Sequence, residues 1–150
     1  MKLPARVTIC EVGTRDGFQI EPDFIPTDLK IEVVNRLSAT GMPRIEVTSF
    51  VSPRAVPQLK DAEEVMARIT RRPGTTYAAL VPNDKGASRA VEAGADEIHT
   101  VVSASESHNL ANVNMTIAES LEKLRAVAEV CRRSRASPRP SAARSRAKSP

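Results

Sequence analysis

The chain has 150 residues and a formal net charge of +4, from 22 Lys and Arg against 18 Asp and Glu. Residues 131–150 hold seven basic residues and no acid, so residues 1–130 carry 15 basic and 18 acidic side chains, a net of −3. A domain-wide electrostatic footprint for nucleic acid is therefore excluded, while the length allows one domain with a real core.

Arg6–Glu11 is rich in β-branched residues and predicts a first strand, followed by a polar, Gly-containing loop through Pro26. Thr27–Ala39 reads as a helix: Pro26 and Thr27 mark its start, Leu29, Val33, Val34 and Leu37 recur at helical spacing, and Gly41 stops it. Arg44–Ser49 predicts the second strand, Asp61–Thr70 a helix, Thr76–Val81 the third strand and Asp84–Ala93 a third helix ended near Gly94. Asp96–Ser103 predicts a fourth strand and then a long loop. Thr116–Glu119 fits a capping box, and Ile117, Leu121, Leu124, Val127 and Ala128 continue one apolar helical face.

Strands separated by helical stretches, with no hairpin signal between them, predict an α/β fold with parallel pairing through right-handed crossovers. A small doubly wound sheet and part of an eight-fold barrel both fit. A Gly-rich dinucleotide or phosphate loop would favour the first, and neither is in the sequence. Polar residues facing a lumen favour the barrel: with Ile45 and Val47 turned to the helices, Glu46 and Thr48 face inward. Four units make half of such a barrel.

Cys10 and Cys131 give neither a disulfide framework nor a metal-binding spacing, which points to a reducing, cytoplasmic setting. Cys10 reads as a buried small hydrophobe rather than a nucleophile. Met1–Arg6 lacks the apolar run of a secretory signal, and no segment approaches the roughly 20 apolar residues of a membrane span. No membrane partner is expected.

Chemistry in parallel α/β folds gathers beyond the carboxyl ends of the strands. The first such loop contains Arg15-Asp16 between Gly13 and Gly17. Asp is a hard oxygen ligand suited to Mg²⁺ or Mn²⁺, and Arg suits a carboxylate or a developing enolate. The alternative is a surface turn. Glu46 is a carboxylate in an otherwise apolar strand, costly to bury unless paired; it is either a substrate-facing acid or a structural partner of Arg15. Glu11 reads as structural, closing the first strand. Hydroxyls in Ser49–Pro53 could line a pocket or cap a turn. His99 lies mid-strand and His108 in the following loop, nine positions apart and without metal-ligand spacing.

Glu11–Gln19 (EVGTRDGFQ), Arg44–Pro57 (RIEVTSFVSPRAVP), Val81–Gly86 (VPNDKG), Ala93–Glu97 (AGADE), Ser103–Glu106 and Asn112–Glu119 together resemble hydroxymethylglutaryl-CoA lyase, in order and over about residues 5–130. The wider group is the metal-dependent TIM-barrel carbon–carbon lyases and acyl-CoA condensing enzymes. Within it, the EVG opening and the SFVSP loop point to the lyase rather than to isopropylmalate or homocitrate synthases. The resemblance implies cleavage of 3-hydroxy-3-methylglutaryl-CoA to acetoacetate and acetyl-CoA, a step of leucine degradation. It implies a divalent metal ion (Mg or Mn) with Asp16 as a ligand, and Arg15 as the catalytic group stabilising the enolate or thioester oxygen. Glu46 supports that catalysis, and Gln19 with Arg15 binds the acyl-CoA substrate.

This chain has Thr14, Phe18 and Ile20 where the family pattern has Pro, Leu and Asn; that questions acyl selectivity more than reaction type. The family's later His-x-His pair, Asn ligand and Gly-rich catalytic-cysteine loop have no counterpart here. Residues 1–130 thus read as the N-terminal half of a TIM barrel. Residues 131–150 form a basic low-complexity tail where a fifth strand should begin. Three readings stay open for it: an out-of-frame read of a GC-rich gene, which leads; a disordered tail for nucleic acid or anionic membrane; or a plain truncation end. The competing function is a non-catalytic half-barrel acting by association, as a homo-oligomer or with another half, to bury open strand edges.

Overall fold

The computed structural model describes residues 4–136. Four parallel strands, β1 (Cys10–Glu11), β2 (Arg44–Ser49), β3 (Thr76–Leu80) and β4 (Glu97–His99), lie side by side in chain order. Helices α1 (Thr27–Ala39), α2 (Ala62–Arg68) and α3 (Asp84–Glu92) make the crossovers, and α4 (Glu106–Val113) and α5 (Ile117–Ala136) follow β4. An order that never reverses is that of a barrel; a doubly wound sheet would change direction at a switch point.

Register separates the two faces of the sheet. Ile45 lies beside Tyr77, and Ile98 beside Ala79. Ile45, Tyr77 and Ala79 join Val34, Val65, Met66, Ala87, Ala90 and Val127 in one buried cluster beneath the helices, with Ile98 packed against it. Side chains alternate along a strand. The opposite face therefore carries Arg44 and Glu46 from β2, Ala78 and Leu80 from β3, and Glu97 and His99 from β4. Cys10 sits beside Arg44 on that face. A register shift between Glu46 and Thr48 interrupts the alternation. Beyond that shift Thr48 pairs with Ala79 and Ser49 with Leu80, and Val47 lies in the helix-side cluster as expected.

Several expected boundaries change for physical reasons. The first strand shrinks to Cys10–Glu11, with Val7 and Ile9 at 78% and 61% exposure, unpaired among the described residues. The fourth shrinks to Glu97–His99, and the segment expected to be a loop contains α4. Ser105 caps α4 by accepting from the His108 amide, so His108 lies on a helix. Buried Asn109 donates to the Met115 carbonyl at 2.9 Å and to Ser120 Oγ at 2.7 Å, which binds α4 to α5 through polar contacts. On α1 the buried stripe is Lys30, Ile31, Val34 and Ser38, while Leu29 is exposed. Lys30 is buried because its ammonium is paired with Asp61 at 2.7 Å and bonded to the Gln58 carbonyl at 2.5 Å.

The capping box forms as expected: Glu119 accepts from the Thr116 amide at 2.8 Å, and Thr116 Oγ1 accepts from the Glu119 amide at 3.1 Å. From there α5 packs on α3 and continues through Ala136, so residues 131–136 of the basic segment are helical. Residues 137–150 lie outside the described residues. No helix among the described residues is long and apolar enough to cross a membrane.

Candidate active site

The loop after β1 is wound into a tight turn over Gly13–Gly17. Its start is held by Glu11, whose carboxylate accepts from the Gly13 amide at 2.6 Å; a Cβ on Gly13 would stand 2.9 Å from that oxygen. The amides of Arg15 and Asp16 both donate to the Val12 carbonyl, at 3.0 and 2.7 Å. Thr14 is 1% exposed, and its hydroxyl donates to the Glu46 carbonyl at 2.9 Å. Thr14, one of the three departures from the family pattern, thus ties the turn to β2. Sequence reasoning missed this role, because the acceptor lies 32 positions away.

Arg15 is brought to Glu46 by this anchoring. Its Nε donates to Glu46 Oε1, and its Nη1 lies 2.5 Å from Asp16 Oδ1. Glu46 is 4% exposed, yet both of its oxygens are engaged, because His99 Nδ1 meets Oε2. His99 Nε2 lies 3.2 Å from Glu97 Oε1, and Glu97 Oε2 lies 3.1 Å from Arg44 Nε, an ion pair outside hydrogen-bond alignment. Asp16, Arg15, Glu46, His99, Glu97 and Arg44 therefore form one row of charged and ionisable groups of alternating type across the polar face.

Of the expected site residues, Arg15, Asp16 and Glu46 are joined. Gln19 is half-buried beyond the turn and takes no part in the row. His99, read from spacing as an isolated mid-strand residue, belongs to it. The available signal was Glu97-x-His99, which puts both side chains on one face of β4. His108 is exposed on α4. Cys10 is half-buried on the polar face rather than enclosed in the core. Burial pushes its thiol up, Glu46 adds to the shift and Arg44 opposes it. The buried hydroxyls of Thr48 and Ser49 have no hydrogen-bond partner, while Ser52 caps a turn by accepting from the Arg54 amide at 3.4 Å.

Asp16 is the one member of the row whose side chain is mostly exposed, at 62%. Among the described residues no group of three or more His, Cys, Asp or Glu side chains could hold a metal ion. These residues do not make a divalent-metal site by themselves. A recess of about 410 Å³ lined by Arg71, Pro73, Thr75, Tyr77 and Asp96 opens at the amino end of β3, away from the Arg15 turn.

The HMGL-like family model matches residues 6–147. A hydroxymethylglutaryl-CoA lyase of Bacillus subtilis is 50% identical over 127 residues, which are 85% of this chain and 42% of that protein. The human cytoplasmic 3-hydroxy-3-methylglutaryl-CoA lyase is 52% identical over 130 residues, 87% of this chain and 35% of that protein. The crystal structure of the Bacillus subtilis lyase superposes with a TM-score of 0.85 at 47% identity, covering 90% of this chain and 45% of that one. The structure of an HMG-CoA lyase from Acinetobacter baumannii in complex with coenzyme A and 3-methylmalate does so at 0.78 and 52% identity, covering 81% and 40%. The chain thus spans less than half the length of these relatives, and its strands and helices are the N-terminal (β/α) units of their TIM-barrel fold. By sequence and by structure, this chain belongs to the HMGL-like family.

Proposed function

We propose that residues 1–130 supply the first half of the catalytic apparatus of a lyase that cleaves 3-hydroxy-3-methylglutaryl-CoA to acetoacetate and acetyl-CoA. One observation carries the reading: the Arg15 guanidinium is held at the carboxyl end of β1 by buried Glu46 and by Asp16. In the proposed reaction a base removes the substrate's tertiary hydroxyl proton and the carbon–carbon bond breaks. Its electron pair passes to the acetyl-CoA fragment as a thioester enolate, and protonation there completes the product. A fixed cation beside the thioester oxygen stabilises charge that develops only as the bond breaks, which is how binding energy becomes rate. Arg15 takes that role, Glu46 holds it in place and Gln19 contacts the acyl-CoA. Asp16 is proposed as one ligand of the divalent ion implied by the family.

The test is a chimera in which residues 5–130 replace the matching segment of the Bacillus subtilis lyase. Acetoacetate release is expected from the chimera, with Arg15→Ala lowering kcat/KM by roughly 10²–10³-fold. Undiminished turnover in Arg15→Ala would remove Arg15 from the reaction. A second reading, association of half-barrels, is favoured by the exposed apolar residues Val7 and Ile9 before β1 and Val101 after β4. Concentration-dependent sedimentation of the 150-residue chain would support it, and a monomer at all concentrations would remove it.

A further inference from the structure

We infer that His99 is a positioning residue of this site: it fixes the Glu46 carboxylate and, through it, the Arg15 guanidinium. The catalytic consequence rests on the lyase reading above; the geometry does not. A carboxylate gripped at one oxygen can still turn about its terminal torsion, and its partner turns with it. Glu46 is gripped at both oxygens, by Arg15 Nε from the loop after β1 and by His99 Nδ1 from β4. β3 lies between the strands that carry Glu46 and His99, and it presents Ala78 and Leu80 on this face. Ala78 pairs with Glu46 on one side and Glu97 on the other, while Leu80 pairs with His99, so the imidazole and carboxylate meet diagonally across β3.

The other ring nitrogen is also engaged, by Glu97 Oε1 at 3.2 Å, and Glu97 is drawn the other way by Arg44. The imidazole is thus held edge-on between carboxylates from two strands. With both nitrogens occupied, His99 is not free to act as the base for the substrate hydroxyl. Positioning is the role left to it.

The full 150-residue chain tests this. The Arg15 Nε–Hε signal, identified by its loss in Arg15→Lys, is followed by solvent exchange in wild type, His99→Ala and His99→Asn. Asparagine keeps a donor at the Nδ1 position and loses the link to Glu97. His99→Ala should speed Hε exchange by about tenfold or more, and His99→Asn should stay within about threefold of wild type, with β2 and β3 amides unchanged as the fold control. Unchanged exchange in a folded His99→Ala, or His99→Asn as fast as His99→Ala, would overturn the inference. Should the alanine variant fail to fold, the asparagine variant decides alone: protection supports it, and loss overturns it. In the chimera, His99→Ala should lower kcat about tenfold with KM nearly unchanged, and His99→Asn should restore it. A wild-type chimera without turnover would sink the lyase reading and leave the exchange result to decide the positioning.

Discussion

A carboxylate that is 4% exposed is stable only if its charge is met nearby, and Glu46 is met on both oxygens. The need for a partner was legible in the sequence, because a lone Glu in RIEVTS has no other way to be buried, and Arg15 was the available cation. His99 was not legible as the second partner, since its approach depends on how β4 falls two strands away. The same surroundings govern Cys10. Its thiol is pushed up by burial and by Glu46, so less of it is thiolate at neutral pH, and the thiolate is the nucleophile. Alkylation of Cys10 by iodoacetamide at pH 8 should therefore be several-fold slower in the folded chain than in urea, read by mass spectrometry separately from Cys131. Because the folded state holds this proton more tightly, the associated stability is complete below the unfolded thiol's range and is lost as pH rises through the folded one. Equal rates in the folded and unfolded chain would contradict the assignment.

At the scale of elements, α1 and β2 carry the predicted bounds; α1 has a marked start, a helical period and a glycine stop, and β2 is a short run rich in β-branched residues that begins just after Pro43. The α4 helix escaped detection because it is fixed by Ser105 and Asn109 rather than by an apolar stripe. The VPNDKG segment shows why a helix can hold a glycine. Asn83 caps α3 by accepting from the Gly86 amide at 2.9 Å, and this draws the helix against β2's exit. A Cβ on Gly86 would stand 2.8 Å from the Phe50 carbonyl oxygen and 3.0 Å from Pro82 Cδ. Helix propensity favours alanine over glycine by about 1 kcal/mol, while overpacking costs about 1–3 kcal/mol. The close approach to a backbone oxygen should win. Gly86→Ala is expected to destabilise the chain by about 1 kcal/mol net, read as a lower urea midpoint at unchanged slope. A raised midpoint would show that α3 can lift away without loss.

For the whole molecule, the net charge of +4 averages a mildly acidic body with a basic carboxyl-terminal segment, and it says little about partners. What the body lacks is more informative. A barrel gathers its ligands from the ends of many strands. Here four described strands leave Asp16 as the exposed carboxylate of the row, with Glu46 already committed to Arg15 and His99. The relatives' chains are more than twice as long as the part this one matches. A single hard oxygen donor holds a divalent ion only weakly, so Mn²⁺ should bind the 150-residue chain no more tightly than about 1 mM. The measurement is paramagnetic broadening of amide signals during a Mn²⁺ titration. Broadening should centre on Asp16 and Gly17 and vanish in Asp16→Asn. The chimera with the Bacillus subtilis second half should bind the ion far more tightly through the same carboxylate. Micromolar binding by the chain alone, lost in Asp16→Asn, would mean that these 150 residues assemble a full ligand set. Micromolar binding that survives Asp16→Asn would move the metal away from this turn altogether.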